Sequence, residues 1–278
     1  MRLGVIGAGQ IGAMLAAAWI TAGIDAPVLV HTRTRAKAEA LSAAHPGRVI
    51  VCDSAAAAAR ACDALFVCAR APDAEDIVAE IADQLRPEQY IALTNSTTPL
   101  AWLESRAPCR AAKIIPSLTQ YAHAGILLVM SGARMEGDAA VAFYDLLAMI
   151  GQPYTIGEDA VRIYSDLTSC GPAFWAALAA DMERAAEVRG VPAEAGRFLI
   201  GETLYGLGAL LARREFTPQE VVRRVAAPGG VTHAGLSALR ECAPHLFARV
   251  FAATAAHQYS GQAQFPADGD RDAGSAPF

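Results

Sequence analysis

The chain opens on a short apolar run, Arg2 to Ile6, that meets Gly7-Ala8-Gly9-Gln10-Ile11-Gly12 and passes directly into an alanine-rich helical stretch. Glycines spaced G-x-G-x-x-G between a strand and a helix constrain the backbone closely. Gly7 permits the tight turn, Gly9 lets a pyrophosphate come up to the main chain, and Gly12 lets helix and strand pack together. Gln10 and Ile11 complete the turn, and the helix N-terminus offers free N–H groups and the positive end of its dipole to phosphates. Glycines alone also mark ordinary turns. Here a second strand-like run, Pro27 to His31, follows at the distance a dinucleotide-binding unit requires.

The end of that second strand chooses the cofactor. NAD-type sites place Asp or Glu there to hold the ribose 2'-hydroxyl, whereas Val30 is followed by His31-Thr32-Arg33-Thr34-Arg35. A hydroxyl at Thr32 or Thr34, with guanidinium from Arg33 or Arg35, suits a 2'-phosphate, because Arg meets phosphate oxygens bidentately. The residues therefore favour NADP(H) over NAD(H), against the plainer alternative of a solvated basic helix start.

The rest of the first half keeps the same rhythm. Val49 to Cys52, Ala64 to Cys68, Tyr90 to Thr94, Ala111 to Ile115, Ile126 to Met130 and Pro153 to Ile156 read as strands, with helical segments between most of them and a helix over about 136–150. This alternation predicts an α/β Rossmann-type domain over residues 1–159. Beyond it the strand signal stops. Helical patterns over Pro172 to Arg189, Ala193 to Arg213, Pro218 to Val225 and Thr232 to Tyr259 predict an all-α C-terminal domain over residues 160–261. The remainder, 262–278, is rich in Gly, Pro, Asp and Ala without periodicity and reads as a disordered tail.

Composition excludes several function classes. The 278 residues carry a net charge of -5, and the longest cationic clusters, Arg33 to Lys37 and Arg223-Arg224, are too short for a nucleic-acid footprint. Six scattered cysteines without CxxC pairs and six dispersed histidines predict no metal site, and point to a reducing, cytoplasmic compartment. Apolar runs such as Ala13 to Ile20 are too short to span a bilayer, so no membrane association is expected.

The second half carries the most specific pattern. Val222 to Leu236, with Ala227-Pro228-Gly229-Gly230-Val231-Thr232 at its centre, resembles the Pro-Gly-Gly-x-Thr motif of the pyrroline-5-carboxylate reductase family. Thr168-Ser169-Cys170-Gly171-Pro172-Ala173-Phe174 looks like that family's Ser-Gly-Ser-Gly-Pro-Ala-Tyr start of a domain-linking helix. Gly190-Val191-Pro192 resembles its Gly-(Leu/Ile)-Pro break, and Cys68-Ala69-Arg70 stands where the family has Ala-Val-Lys beside the cofactor. The resemblance runs from residue 2 to about residue 260. It implies NADPH-dependent reduction of a cyclic imine, 1-pyrroline-5-carboxylate to proline, by at least a homodimer built through the helical domain. It also implies an imino-acid site at Ala227, Pro228, Gly229, Gly230, Val231 and Thr232, with Thr232 supporting the ring nitrogen, and a polar position near the substrate amine at Glu215. The plainer reading of the same loop is a tight interhelical turn with Thr232 as N-cap.

The pattern also departs from the family. Ile115-Pro116-Ser117-Leu118-Thr119-Gln120 stands where the family carries Met-Pro-Asn-Thr-Pro-Ala, Ala227 replaces a Ser before the Pro-Gly-Gly, and Cys170 replaces another. These changes resemble the divergent reductase-like branch encoded in late-competence operons. They leave open a protein that binds NADP(H) in an accessory role with little turnover. A β-hydroxyacid dehydrogenase is a further alternative, disfavoured because no Lys follows residue 113 to serve as its catalytic base.

Overall fold

The computed structural model describes residues 1–262, with side chains through residue 257. The tail expected over 262–278 lies, apart from Gln262, outside the described residues. Two compact units form among the described residues: Met1–Pro172 and Ala173–His257.

The first unit is an eight-stranded sheet in the order β3-β2-β1-β4-β5-β6-β7-β8. The strands are β1 (Leu3–Ile6), β2 (Val28–His31), β3 (Val49–Val51), β4 (Ala64–Val67), β5 (Tyr90–Leu93), β6 (Arg110–Ile115), β7 (Ile126–Ser131) and β8 (Gln152–Thr155). All eight coincide with strands read from the sequence. Pairing is parallel throughout except between β6 and β7. Every residue of β1, β4 and β5 is buried, as continuous apolar strands must be when helices cover both faces.

The helices are α1 (Gln10–Thr21), α2 (Arg35–Ala44), α3 (Ala55–Ala61), α4 (Ala71–Ile81), α5 (Leu100–Arg106), α6 (Gly137–Ala148) and α7 (Val161–Thr168). On one face of the sheet Trp19 of α1 meets Phe66 of β4 with ring centroids 4.5 Å apart, and its indole N–H is satisfied by the Leu146 carbonyl at 3.0 Å. The other face packs Leu65, Ile81, Ile91 and Leu103. The sequence reading starts the helical half at residue 160, but α7 lies in the first unit, where Val161 joins Ile115, Leu128 and Met130 in a third small core.

The second unit holds α8 (Gly171–Val188, from Ala173 on), α9 (Ala193–Ala212), α10 (Pro218–Val225), α11 (Val231–Cys242) and α12 (Leu246–Gln262, to His257). Thr217 and Glu220 form a reciprocal cap on α10, with Pro218 as its first residue. One expectation fails: the helix read over Thr232 to Tyr259 is two helices. Pro244 cannot donate to a helix and restricts the residue before it, and His245 takes φ 60 between the two. Among the described side chains of this unit, Gly196 is the one fully buried residue, and no apolar side chain is buried. Phe198, Leu199 and Tyr205 are 66%, 57% and 75% exposed.

Candidate functional site

Strand order reverses between β2-β1 and β4-β5, which opens a crevice at the carboxyl ends of the strands. A cleft of about 1050 Å³ lies there. Gly7 to Gly12 shape its floor in three different ways. Gly7 sits at φ 97, and a Cβ on it would fall 2.5 Å from the Cys68 carbonyl oxygen; a Cβ on Gly12 would fall 1.9 Å from the Gly7 carbonyl oxygen. Neither position accepts a side chain. A Cβ on Gly9, by contrast, would meet nothing within 4 Å, so that glycine keeps space open rather than packing closed. Gly9 is also the N-cap of α1 and offers no side-chain cap, which leaves the first N–H groups of the helix for an anion. The residues present therefore fit a dinucleotide pyrophosphate.

Of the residues expected to hold the cofactor, Gly7, Gly9, Gln10, Ile11, Thr32, Arg33, Cys68, Ala69 and Arg70 line this cleft. Gly12 lies behind it, in the helix–strand contact. Arg35 is not part of the lining, and its guanidinium donates to Asp53 at 2.8 Å and to Glu39 at 2.9 Å. Asp53 follows β3 and Glu39 lies one turn along α2, so Arg35 is spent on its own surface. The hydrogen bond to Asp53, then that to Glu39, holds the guanidinium pKa above its ordinary value. Arg33 lines the cleft just past β2, and Lys37 lines it too. Burial pushes the Cys68 thiol up to about 12, so it adds no negative charge near the phosphates.

The sequence reading missed two parts of the lining. Asp73, Asp76 and Glu80 of α4 present one acidic row to the cleft, and Thr94 and Asn95 close it past the end of β5. The spacing of the three carboxylates over two helical turns, and the polar run Thr94-Asn95-Ser96-Thr97-Thr98, were available signals.

Around the second of these parts a buried network holds the β5–α5 loop. Lys113 is 1% exposed in β6. Its ammonium donates to the Ser96 carbonyl at 3.2 Å and to Glu158, and Glu158 also accepts from the Leu100 N–H at 3.0 Å. Thr98, also 1% exposed, donates its hydroxyl to Glu75 of α4 at 3.3 Å.

Ser117 has a structural occupation. Its hydroxyl is buried, accepts from the Thr119 hydroxyl at 3.1 Å, and caps a 3-10 turn over Leu118–Ala122. The Gln120 side chain reaches back to the Ser117 N–H. The Ser-Leu-Thr-Gln departure thus forms a self-satisfied cap. Cys170 faces the Arg162 guanidinium at 3.2 Å.

In the helical unit Ala227, Pro228 and Gly229 are exposed and Gly230 is half-buried. Gly229 takes φ 75, and Gly230, not Thr232, is the N-cap of α11. Val231 and Thr232 are the first two helical residues, both exposed. Thr232 as a helix cap is therefore excluded, while a bare helix N-terminus behind two glycines is present. Glu215 is half-exposed near Arg213, 4.0 Å away. Among the described residues no group of three or more His, Cys, Asp or Glu side chains could hold a metal ion, and no helix is long and apolar enough to cross a membrane.

Comparison with known proteins covers both units. Residues 158–260 match the pyrroline-5-carboxylate reductase dimerisation family, and residues 2–96 match the NADP oxidoreductase, coenzyme F420-dependent family. ComE operon protein 4 of Bacillus subtilis is 29% identical over 90% of this chain and 93% of its own length. Pyrroline-5-carboxylate reductase 3 of the same organism is 26% identical over 91% and 94%. Among solved structures, the NADP-bound pyrroline carboxylate reductase of Plasmodium falciparum superposes with a TM-score of 0.81 at 18% identity, covering 96% of this chain and 98% of that one. The Coxiella burnetii pyrroline-5-carboxylate reductase gives 0.81 at 17% identity, covering 93% and 97%.

Proposed function

We propose, from the likeness of this chain to the pyrroline-5-carboxylate reductase family, that it is an NADP(H)-dependent oxidoreductase that reduces the C=N bond of a cyclic imino acid, with 1-pyrroline-5-carboxylate as the first substrate to test. When bound, the cofactor supplies the hydride, and the protonated imine is already electrophilic, so little acid–base machinery is required. The chain's own work is to bind and orient. The open floor at Gly9 and the N–H groups of α1 receive the pyrophosphate. Thr32 and Arg33 take the 2'-phosphate. On the helical unit, the exposed turn Pro228-Gly229-Gly230 and the N–H groups opening α11 receive the substrate carboxylate, and the Thr232 hydroxyl supports the ring nitrogen.

The observation that carries the substrate half is that α11 begins behind Gly230 without a side-chain cap, which leaves its N–H groups and the Thr232 hydroxyl uncommitted to capping. The active form is a homodimer, because the helical unit buries no apolar side chain among its described residues and matches a dimerisation family.

A second reading is favoured by the likeness to ComE operon protein 4 and by Ala227: a divergent member with a different imine, or with little turnover. NADPH oxidation measured against 1-pyrroline-5-carboxylate and a panel of cyclic imines separates the two. Turnover with the first supports the main reading. NADPH binding without turnover of any imine overturns it in favour of the second.

A further inference from the structure

We propose that Asn95 is a specificity-determining residue for the nicotinamide half of the cofactor, donating its side-chain N–H to an acceptor oxygen of the nicotinamide riboside. This inference rests on the NADP(H) reading above.

Position comes first. The phosphates belong at the N-terminus of α1 and the adenosine ribose at Thr32 and Arg33 beyond β2, so the rest of a dinucleotide crosses the order reversal to the ends of β4 and β5. Thr94 and Asn95 form the cleft wall there.

Polarity follows from the loop. The Asn95 Oδ1 accepts the Thr98 N–H at 2.9 Å, and the opposite amide orientation would set donors against a donor, so oxygen and nitrogen are assigned by the bond itself. Nδ2 is then a committed donor. It is buried and has no hydrogen-bond partner, a state that native structures rarely tolerate without a functional reason.

Rigidity completes the argument. Lys113 grips the Ser96 carbonyl, Glu158 grips both Lys113 and the Leu100 N–H, and Glu75 takes the Thr98 hydroxyl. With both flanks tied down, the loop cannot drift to find an acceptor, so one must be brought to it. Contact with a ligand requires the amide to rotate about its bond to Thr98 and turn Nδ2 toward the cleft that Asn95 lines. The nicotinamide riboside offers oxygens of the right kind in its ribose hydroxyls and carboxamide carbonyl, while the adenosine half lies at the opposite end.

The test is Asn95→Asp, which keeps the acceptor for Thr98 and replaces the donor by a carboxylate oxygen. Asn95→Ser keeps a short acceptor without adding charge. For each full-length variant, Kd is measured for NADPH and for adenosine 2',5'-bisphosphate, together with Tm. Both variants are expected to weaken NADPH by about tenfold or more, with the bisphosphate Kd and Tm close to wild type. Unchanged NADPH affinity in either folded variant overturns the proposal, as does parallel weakening of both ligands, which would mark a general disturbance of the cleft. If Asn95→Asp fails to fold, Asn95→Ser decides alone; if neither folds, Asn95 is a structural turn residue and the proposal fails. A folded wild type that binds neither ligand removes the NADP(H) reading itself, an outcome distinct from these.

Discussion

Arg33 and Asp73 face each other across the cofactor cleft, guanidinium and carboxylate 4.0 Å apart, with the arginine side chain 90% exposed. Such a pair contributes little to stability, yet it sets a competition: a 2'-phosphate must draw Arg33 away from Asp73. Arg33→Ala should raise the Kd for NADPH by about tenfold, the scale of one charge-assisted contact, and leave NADH unchanged. Asp73→Asn should tighten NADPH by about two- to fivefold, because a phosphate then meets an unengaged guanidinium and one carboxylate fewer. Fluorescence titration with both cofactors checks the pair. Equal NADPH and NADH affinities in the wild type would remove the 2'-phosphate site.

Gly9 and Gly12 should separate cofactor binding from folding. A Cβ at Gly9 meets nothing within 4 Å, so Gly9→Ala is expected to keep the wild-type Tm while weakening NADPH by about tenfold or more, since the methyl group occupies the space a pyrophosphate uses. A Cβ at Gly12 would lie 1.9 Å from the Gly7 carbonyl, and backbone cannot yield that far, so Gly12→Ala should lower Tm severely or give no folded protein. A Gly9→Ala variant with undiminished NADPH affinity would mean that the glycine serves the turn alone.

The Lys113–Glu158 pair is asymmetric: Lys113 is 1% exposed and Glu158 39%. Removing the carboxylate strands a buried ammonium with the Ser96 carbonyl as its remaining partner, and Glu158→Ala should cost about 2–4 kcal/mol. Removing the ammonium leaves a carboxylate that water already reaches, and Lys113→Met, which fills the same space, should cost about 1 kcal/mol or less. Urea denaturation of both variants measures the order. A larger loss for Lys113→Met would show that the pair is not limited by desolvation of the lysine.

The helical unit leaves a large apolar surface open in the single chain. With Phe198, Leu199 and Tyr205 more than half exposed and no apolar side chain buried among its described residues, it needs a second surface to exclude water. Light scattering at micromolar concentration should give a dimer or larger multiple. A stable monomer would refute the assignment.

What the sequence revealed, and what it hid, follows from the range of the forces involved. Strands β1, β4 and β5 were legible because helices cover both faces, which makes each a continuous apolar run. The glycine turn was legible because Gly7, Gly9 and Gly12 each answer a local backbone demand. The break at Pro244 was hidden by alanine-rich flanks that continue the helical pattern on both sides. Short α7 was hidden because Arg162, Ser165 and Asp166 interrupt its apolar face. Side-chain destinations were the least legible. The sequence offers Arg35 beside Arg33 as a phosphate ligand, and its pairing with Asp53 depends on β3 bringing that carboxylate in. Ser117 stood out as a departure from the family's Met-Pro-Asn-Thr-Pro-Ala, and the cap that Thr119 and Gln120 close around it shows only in the fold. Asn95 carried a local turn signal, but its place at the far wall of the cleft depends on the parallel pairing of β4 with β5.

Thr232 offers the sharpest division between structural and chemical roles. Had it been the N-cap of α11, Thr232→Ala would have been expected to cost about 1 kcal/mol of stability through the lost cap. Gly230 holds that position instead, and the cap involves no side chain, so Thr232→Ala should leave Tm within a degree or two of wild type. It should also leave NADPH affinity unchanged, because the cofactor cleft is built from the first unit alone. If the hydroxyl supports the imine nitrogen more strongly in the transition state than in the ground state, kcat with a cyclic imine should fall by roughly 10- to 1000-fold, the range for one positioned hydrogen bond. Thr232→Ser should restore most of that loss, since it keeps the hydroxyl and removes only a methyl group. The measurement is therefore fourfold for each variant: Tm, NADPH Kd, kcat and KM. A Thr232→Ala variant with normal kcat would assign substrate binding to the Pro228-Gly229-Gly230 backbone and the helix N-terminus alone. A drop in kcat that serine does not rescue would mean that the methyl group, and so the packing of α11 against a bound substrate, carries the effect.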